Sequence, residues 1–202
     1  RYYDEYVKSG EYVKSPCFTH FDKVFNELSG KTWGIAGLGS IGRRVADVAK
    51  AFGCRVVYFS ASGHTYDTEF KRVSFDELLE NSDIISIHAP LNDKTNNLFD
   101  DAAFAKMKKN AVLLNLGRGP IVNNAALTKA LKENIIAGAG LDVIDKEPIA
   151  ADNPLLEIQD SSKLIITPHI AWATYEARVR LMDEVYENIK AFEAGESRNA
   201  VV

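Results

Sequence analysis

The chain has 202 residues, 46% of them hydrophobic, and its 24 basic and 28 acidic side chains give a formal net charge of −4. This length suffices for one domain with a full core, and the scattered basic residues argue against a nucleic-acid interface, which needs a clustered basic face. No apolar run is long enough to span a membrane, the first residues do not resemble a signal peptide, and the two cysteines have no metal-site spacing. We therefore expect a soluble, cytoplasmic protein without a metal site.

The first 28 residues form an aromatic and amphipathic lead-in. Residues 2–13 have the pattern of a helix, and Gly10 and Pro16 interrupt the aromatic series. So many large apolar side chains need a covering surface, either on the flank of the domain or on another subunit. The sequence predicts a lead-in helix followed by a loop.

From residue 31 onward, short apolar runs alternate with helical periodicity. The unit begins with a strand over 31–36, a glycine turn, a helix over 41–52 and a strand over 55–59. Later helices are predicted over 75–81, 101–107 and 124–133, and later strands over 83–88, 111–115, 135–142 and 163–167. Strands that are continuous apolar runs are typical of a parallel sheet covered on both faces. The pattern therefore predicts an α/β fold with a doubly wound parallel sheet, the Rossmann fold.

We interpret residues 1–202 as one dinucleotide-binding domain. The lead-in covers 1–28 and the Rossmann core covers 31–172. A closing segment, 173–202, contains an amphipathic helix over about 174–194, with its apolar side chains on one stripe.

The turn GLGSIG at residues 37–42 lies between the first predicted strand and helix, the setting in which such a turn indicates a dinucleotide site. Gly37 allows the tight turn, Gly39 allows the backbone to approach a pyrophosphate, and Gly42 allows close packing of helix on strand. Ser40 and Ile41 would offer backbone N–H groups at the positive end of the helix dipole.

The residues at the end of the second predicted strand do not decide between NAD and NADP. An NAD-selective site usually carries Asp or Glu about 20 residues after the first glycine, to accept a hydrogen bond from the ribose 2′-hydroxyl. Ser60 holds that position here and is followed by ASG. No acid would repel a 2′-phosphate, yet no arginine follows directly, and Lys71 and Arg72 are the nearest basic residues. The sequence predicts NAD, with NADP as an open alternative.

Several ionisable residues follow predicted strands and should meet at the same sheet edge as the glycine turn. His169 comes after the strand over 163–167, Arg118 after the strand over 111–115, and Glu147 after the strand that ends at Asp142. His88 also ends a strand, but the pattern suits a packed residue at least as well as a ligand contact. Each charged residue alone could be a solvated loop residue. Together they indicate a catalytic site.

Nearly all of residues 31–180 resembles the NAD domain of the D-isomer-specific 2-hydroxyacid dehydrogenases. The last matching segment looks most like the branch of glycerate dehydrogenase and hydroxypyruvate reductase. The matching segments occur in the family's order: GLGSIG (37–42), DIISIHAPL (83–91), NLGRG (115–119), AGLDVIDKEP (139–148) and TPHIAW (167–172).

The resemblance implies an oxidoreductase that transfers a hydride between a nicotinamide cofactor and a small 2-hydroxy or 2-keto acid, such as glycerate, hydroxypyruvate or glyoxylate. His169 would be the general acid and base, Glu147 would hold its ring, and Arg118 would bind the substrate carboxylate. Asp142 would bind the nicotinamide carboxamide. Other cofactor contacts are expected at Ser60, His88, Ala89, Pro90, Leu116, Gly117, Arg118 and His169.

In this family a separate substrate-binding lobe precedes the cofactor domain, and we expect it to be absent from this chain, which would then turn over poorly or not at all. The resemblance also implies a homodimer through the cofactor domain. Two alternatives stay open: a non-catalytic, NAD-sensing, corepressor-like protein of the same fold, and an NAD-dependent hydrolase or formate dehydrogenase.

Overall fold

The structure, a computed structural model, describes residues 2–200, so that Arg1, Val201 and Val202 of the predicted 1–202 domain lie outside the described residues. Its strands form one seven-stranded sheet in the order β3-β2-β1-β4-β5-β6-β7, and every neighbouring pair is parallel. The predicted doubly wound α/β fold is confirmed. The strands are β1 (Thr32–Ala36), β2 (Arg55–Phe59), β3 (Lys71–Arg72), β4 (Ile84–Ile87), β5 (Val112–Asn115), β6 (Gly138–Leu141) and β7 (Leu164–Ile166).

Six α-helices and three short 3₁₀ turns connect or flank the described strands. None of the helices within residues 2–200 combines the length and apolarity that crossing a bilayer requires. The helices are α1 (Tyr2–Lys8), α2 (Ser40–Ala51), α3 (Phe75–Asn81), α4 (Asp101–Lys106), α5 (Asn124–Lys132) and α6 (Tyr175–Glu193), and the turns are Tyr12–Lys14, Gly119–Ile121 and Pro154–Glu157.

The two faces of the sheet carry unequal cores. On one face α2 packs over β1 and β2, and a small cluster forms around Ile35, Ala46 and Tyr58. On the other face α3, α4 and α5 cover a larger core that extends from β1 to β7. Ile165 of β7 lies on the α2 face and remains 58% exposed. The sheet was predicted to be covered on both faces, but at the β7 edge its α2 face is only partly covered.

Most predicted bounds agree with the structure to within one residue, and three larger differences remain. Strand β3 was not predicted, since two residues give no periodicity; it forms the edge of the sheet because Lys71 and Arg72 pair with β2. The lead-in helix ends at Lys8 because Gly10 adopts a φ of +82°, which a helix cannot continue through. The sixth strand begins only at Gly138, where pairing with β5 starts.

One row of paired residues crosses the sheet at the carboxyl ends of its strands. The row runs through Phe59 of β2, Ala36 of β1 and Ile87 of β4. It continues through Asn115 of β5, Leu141 of β6 and Ile166 of β7. The residue after each of these begins a loop on the same edge. Those loops start with Ser60, Gly37, His88, Leu116, Asp142 and Thr167, so the predicted site residues do share one edge.

Candidate active site

The glycine turn after β1 is packed so that each glycine meets a different constraint. Gly37 has a φ of +99°, and a Cβ there would lie 2.6 Å from the backbone N of Ala89. A Cβ on Gly42 would lie 2.2 Å from the carbonyl O of Gly37. A Cβ on Gly39, in contrast, would meet nothing within 4 Å. Two glycines thus close the turn against the protein, and the third leaves an open space above the backbone.

The N-terminus of α2 faces that open space without a side-chain cap. Its N-cap residue, Gly39, makes no capping hydrogen bond, whereas Ser74, Asp100, Asn123 and Thr174 each cap the helix that follows them. Uncapped first-turn N–H groups carry the positive end of the helix dipole and bind anions. The cradle therefore fits the pyrophosphate of a dinucleotide, with Ser40 and Ile41 both exposed at its rim.

The loop after β4 lies against the glycine turn at the point where the strand order reverses, the usual position of the ligand in such sheets. Ala89 is buried there and Pro90 is exposed. The ring of His88 turns back into the sheet: its Nε2 lies 3.1 Å from Ser86 Oγ, which also accepts from Trp33 Nε1 at 2.9 Å. Burial lowers the pKa of His88 below its ordinary value. This geometry favours the packed interpretation of the His88 side chain.

A histidine–carboxylate pair lies at the other end of the edge. His169 Nδ1 and Glu147 Oε2 are 2.7 Å apart, and Glu147 Oε1 also accepts from the backbone N of Ile144 at 3.1 Å. The hydrogen bond from His169 holds the pKa of the Glu147 carboxyl below its ordinary value, and the bond from Ile144 adds to this effect. His169 Nε2 has no hydrogen-bond partner within the described part of the chain. The pair therefore presents one free ring nitrogen on a fixed imidazole.

Asp142 holds the loop that carries His169. Its carboxylate accepts from Thr167 Oγ1 at 2.6 Å, from Ile170 N at 2.9 Å and from Ala171 N at 2.8 Å. Its backbone O accepts from His169 N at 2.9 Å, and His169 adopts a φ of +54°, in the left-handed region. Burial alone would raise the pKa of Asp142, but these hydrogen bonds outweigh it and the pKa is lowered.

Arg118 lies in the loop after β5, the strand that neighbours β6, which Asp142 follows. Its side chain is exposed and its Nη1 donates to the carbonyl O of Gly117 at 2.8 Å. Beneath it the fully buried Asn115 accepts from Gly117 N at 3.1 Å and donates to Arg118 O at 3.0 Å. Leu116 is 44% exposed at the same edge. The loop is thus fixed by a buried amide, whereas the guanidinium is exposed and makes one hydrogen bond, to Gly117 O, among residues 2–200.

A cavity of about 510 Å³ adjoins the His169–Glu147 pair. Asp142, Thr167, Pro148 and His169 line it, and so do apolar residues that include Ile144, Ile149 and Ile166. Arg118 does not line this cavity, and no hydrogen bond or salt bridge within residues 2–200 joins it to His169 or Glu147. The structure thus brings three of the predicted residues together, Asp142, Glu147 and His169, and leaves Arg118 one strand away.

Sequence reasoning gave no role to three residues that the structure places in or near the site. Thr167 donates to Asp142, and Asn115 donates to the backbone of the Arg118 loop, both through partly buried hydrogen bonds. A polar residue at the end of an apolar strand is the signal that could have identified both. Arg72 lies beside the loop after β2, because β3 pairs with β2. The sequence identified Lys71 and Arg72 as the nearest basic residues along the chain, but not that Arg72 lies beside the loop, since the pairing was not predicted.

Comparisons with known proteins agree with this geometry. Residues 1–171 match the family described as D-isomer specific 2-hydroxyacid dehydrogenase, NAD binding domain. The chain is 38% identical to a glycerate dehydrogenase of Methylorubrum extorquens over 98% of this chain and 62% of that protein. It is 41% identical to a glyoxylate reductase of Aeropyrum pernix over 95% of this chain and 58% of that protein. It therefore spans about three fifths of these curated relatives.

Among solved structures, an acyclic imino acid reductase in complex with NADPH and D-Arg superposes with a TM-score of 0.82. It is 33% identical, and the match covers 98% of this chain and 62% of that chain. The fold, the glycine cradle and the family match all describe an NAD(P)-binding domain. The chain therefore belongs to the D-isomer specific 2-hydroxyacid dehydrogenases, of which it is the NAD-binding domain.

Proposed function

We propose that the protein containing this domain is an NAD(P)-dependent D-2-hydroxyacid dehydrogenase that interconverts a small 2-keto acid, such as hydroxypyruvate or glyoxylate, and its 2-hydroxy acid. The observation that carries this proposal is the 2.7 Å contact between His169 and Glu147 on the edge that holds the glycine cradle. A protein that only binds the dinucleotide does not need such a pair. The names of the relatives support the class of substrate.

His169 is the proposed acid and base of the reaction. Glu147 accepts from Nδ1, so it fixes the tautomer and the orientation of the ring, and Nε2 is left to donate a proton to a carbonyl oxygen or to take one from a hydroxyl. The bound nicotinamide supplies or accepts the hydride. Asp142 holds the left-handed backbone at His169, so the ring is in position before the substrate arrives.

Arg118 is the proposed anchor of the substrate carboxylate. Its planar guanidinium offers paired N–H donors that match two carboxylate oxygens, which a lysine does not. Asp142 also remains the proposed contact of the nicotinamide carboxamide; its Oδ2 accepts only from Ala171 N within the described residues, so it keeps room for a second donor.

The proposed cofactor contacts follow the sheet edge. The pyrophosphate would lie at the glycine turn and the adenosine end at the loop after β2. The nicotinamide end would lie near β5 and β6. The residues concerned are Gly37, Gly39, Ser40, Ile41, Gly42, Ser60, His88, Ala89, Pro90, Leu116, Gly117, Arg118, Asp142 and His169.

We also propose a homodimer in the cytoplasm, and a second lobe that packs on this domain in the whole protein. The proposal is supported by large apolar side chains of the lead-in that this chain leaves exposed and that another subunit or lobe would cover. Phe18 is 89% exposed and Phe25 is 80% exposed. On α6, Phe192 and Met182 are likewise exposed. Light scattering of the purified protein tests the dimer, which a monomer at micromolar concentration would contradict.

Steady-state kinetics of the full-length protein test the proposed activity. We expect reduction of hydroxypyruvate or glyoxylate with NADH or NADPH, and we expect Arg118→Ala to lower kcat/KM by about 100-fold or more, mainly through KM. Residues 1–202 alone should bind cofactor but turn over poorly, because the cavity beside His169 is open to water. Cofactor binding without any turnover in the full-length protein would favour the non-catalytic alternative.

A further inference from the structure

The loop after β2 carries no acidic residue where the adenosine ribose would lie. Ser60 is buried, and its Oγ lies 3.1 Å from the Oγ of Ser62, which is exposed. Residues 60–66 contain neither Asp nor Glu. Two hydroxyl groups therefore line this position. They can accept from a ribose hydroxyl or donate to a phosphate, and they repel neither.

Arg72 brings a guanidinium to the same loop from the neighbouring strand. Its Nη1 donates to Thr65 Oγ1 at 3.1 Å, and its Nη2 lies 3.9 Å from the position of a Cβ on Gly63. The side chain is exposed and forms no salt bridge with any residue from 2 to 200. A guanidinium has five N–H donors, so most of them remain available to an anion beside Gly63.

Apart from Arg72, the charged residues around the loop carry both signs: Arg43 and Lys50 are positive, and Asp67 and Glu69 are negative. Arg43 Nη1 donates to the backbone O of Asp67 at 3.4 Å. Glu69 forms a salt bridge with Lys50 at 2.5 Å, so its charge is compensated. Arg43 lies over the ring of Tyr66, 4.9 Å from its centroid, on the α2 side of the loop.

The loop after β4 faces Ser62 across a cavity of about 300 Å³. Lys94 and Asp93 both line it, and Asn92 does as well. Asp93 opposes an anion there and Lys94 favours one, so this wall contributes no net charge. Arg72 therefore decides the sign of the potential at the loop.

We propose that Arg72, together with the hydroxyl groups of Ser60 and Ser62, binds the 2′-phosphate of NADPH, so that the domain selects NADPH over NADH. The inference rests on the proposed function and names the cofactor of that site. Arginine suits the task because its N–H groups pair with two phosphate oxygens at once. Lys71 precedes it on β3 and lies on the opposite face of the strand, so it is not part of the phosphate site.

Calorimetric titration of residues 1–202 with NADPH and with NADH, at one ionic strength, tests the proposal. We expect NADPH to bind at least about tenfold more tightly than NADH, and Arg72→Gln to weaken NADPH by about tenfold while NADH changes less than about twofold. Ser62→Asp, at an exposed position, should weaken NADPH selectively by placing a carboxylate beside the phosphate. Lys71→Gln is the matched control: it removes the same charge from the same strand and should leave both affinities within about twofold.

Each contrary result has a distinct meaning. NADH bound as tightly as NADPH overturns the proposal. So does an Arg72→Gln variant that weakens both cofactors equally, since that is the result of a structural role, or a Lys71→Gln variant that weakens NADPH as much as Arg72→Gln does. If neither cofactor binds to a folded wild-type chain, the proposed function fails first.

Discussion

At β1 and β2 the candidate site is formed mainly by backbone, whereas at β6 and β7 it is formed by side chains. In the first region two glycines close the turn against the protein and an uncapped helix offers its N–H groups. In the second region Glu147 contacts the ring of His169, and Asp142 accepts from the backbone N–H groups of residues 169–171. Both regions lie on the same row of strand ends.

This difference implies that the two regions fail in different ways. A site formed by backbone is damaged by added atoms, because the protein already fills the space beneath the turn and the cofactor would fill the space above it. A site formed by hydrogen-bonded side chains is damaged by removed atoms, because buried groups then lose their partners. Substitutions that add one methyl group or remove one acceptor can therefore separate the regions experimentally.

The largest effect is expected from the catalytic pair. His169→Asn in the full-length protein should lower kcat/KM by about 100- to 10,000-fold, because the proton donor is lost. Cofactor affinity should fall by no more than about fivefold, since His169 is one of many proposed cofactor contacts. Glu147→Gln should have a smaller effect in the same direction, because the ring loses its charged partner. Steady-state kinetics and a cofactor titration measure both quantities.

The matched control for Glu147→Gln is Glu157→Gln, which removes a surface carboxylate paired with Lys132. Surface ion pairs of this kind contribute little, so kcat/KM should change less than about twofold. If His169→Asn kept most of the wild-type kcat/KM, the proposed role of the pair would be wrong.

The next largest effect is expected at the glycine turn, where two glycines make a matched pair. Gly39→Ala should leave the free energy of unfolding nearly unchanged, since its Cβ meets nothing within 4 Å, but should weaken the cofactor by about tenfold or more because the methyl group occupies the pyrophosphate space. Gly42→Ala should cost about 1–3 kcal/mol of stability as well, because its Cβ would lie 2.2 Å from Gly37 O. Urea unfolding and cofactor titration of both variants check this.

An equal loss of stability in the two alanine variants would contradict the geometry of the turn. Full cofactor affinity in Gly39→Ala would show that the pyrophosphate lies elsewhere.

The backbone region could be predicted from the sequence because glycine and its spacing report directly on backbone geometry. The turn, the helix after it and the strand row were all predicted at nearly their observed positions. The sequence could also place His169, Glu147 and Asp142 at one edge, since all three follow parallel strands.

The sequence could not give the contacts between side chains. The bonds from Ile170 N and Ala171 N to Asp142 depend on the path of the loop, and the left-handed φ of His169 has no signature in a histidine. Lys71 and Arg72 were both named as the nearest basic residues, and the choice between them could not be made from the sequence, because β3 is held only by pairing with β2. Such contacts arise from tertiary structure and not from local pattern.

Asp142→Asn should have an intermediate effect, and one that depends on pH. The variant keeps one acceptor oxygen but loses the charge, so it should be less stable than wild type by about 1–2 kcal/mol at pH 7. Because the pKa of Asp142 is lowered in the folded protein, the charge stabilises the fold above its unfolded pKa of about 4, and this contribution is lost as the pH falls through the lower folded value. The difference between the two proteins should therefore shrink between pH 5 and pH 2, by roughly the whole amount.

Urea unfolding at several pH values measures that difference. Asp160→Asn is a suitable control, since Asp160 also has a lowered pKa but lies in an exposed turn with Ser162, before β7, whereas His169 follows β7. A gap between Asp142→Asn and wild type that stayed constant with pH would show that the loop depends on the shape of the side chain and not on its charge.

The smallest effect is expected at Asn115, which fixes the Arg118 loop from below. Asn115→Ala removes the acceptor of Gly117 N and the donor to Arg118 O, at a cost of about 1–2 kcal/mol in stability. Because Arg118 is the proposed carboxylate anchor, the KM for the keto acid should rise by about threefold to tenfold while kcat and cofactor affinity change little. Asn96→Ala, at an exposed position, should change none of these quantities. A fall in kcat with an unchanged KM would mean that Asn115 supports the cofactor or His169 and not the loop of Arg118. The end of β5 would then belong to the catalytic region at β6 and β7, and the boundary between the two regions would lie before β5.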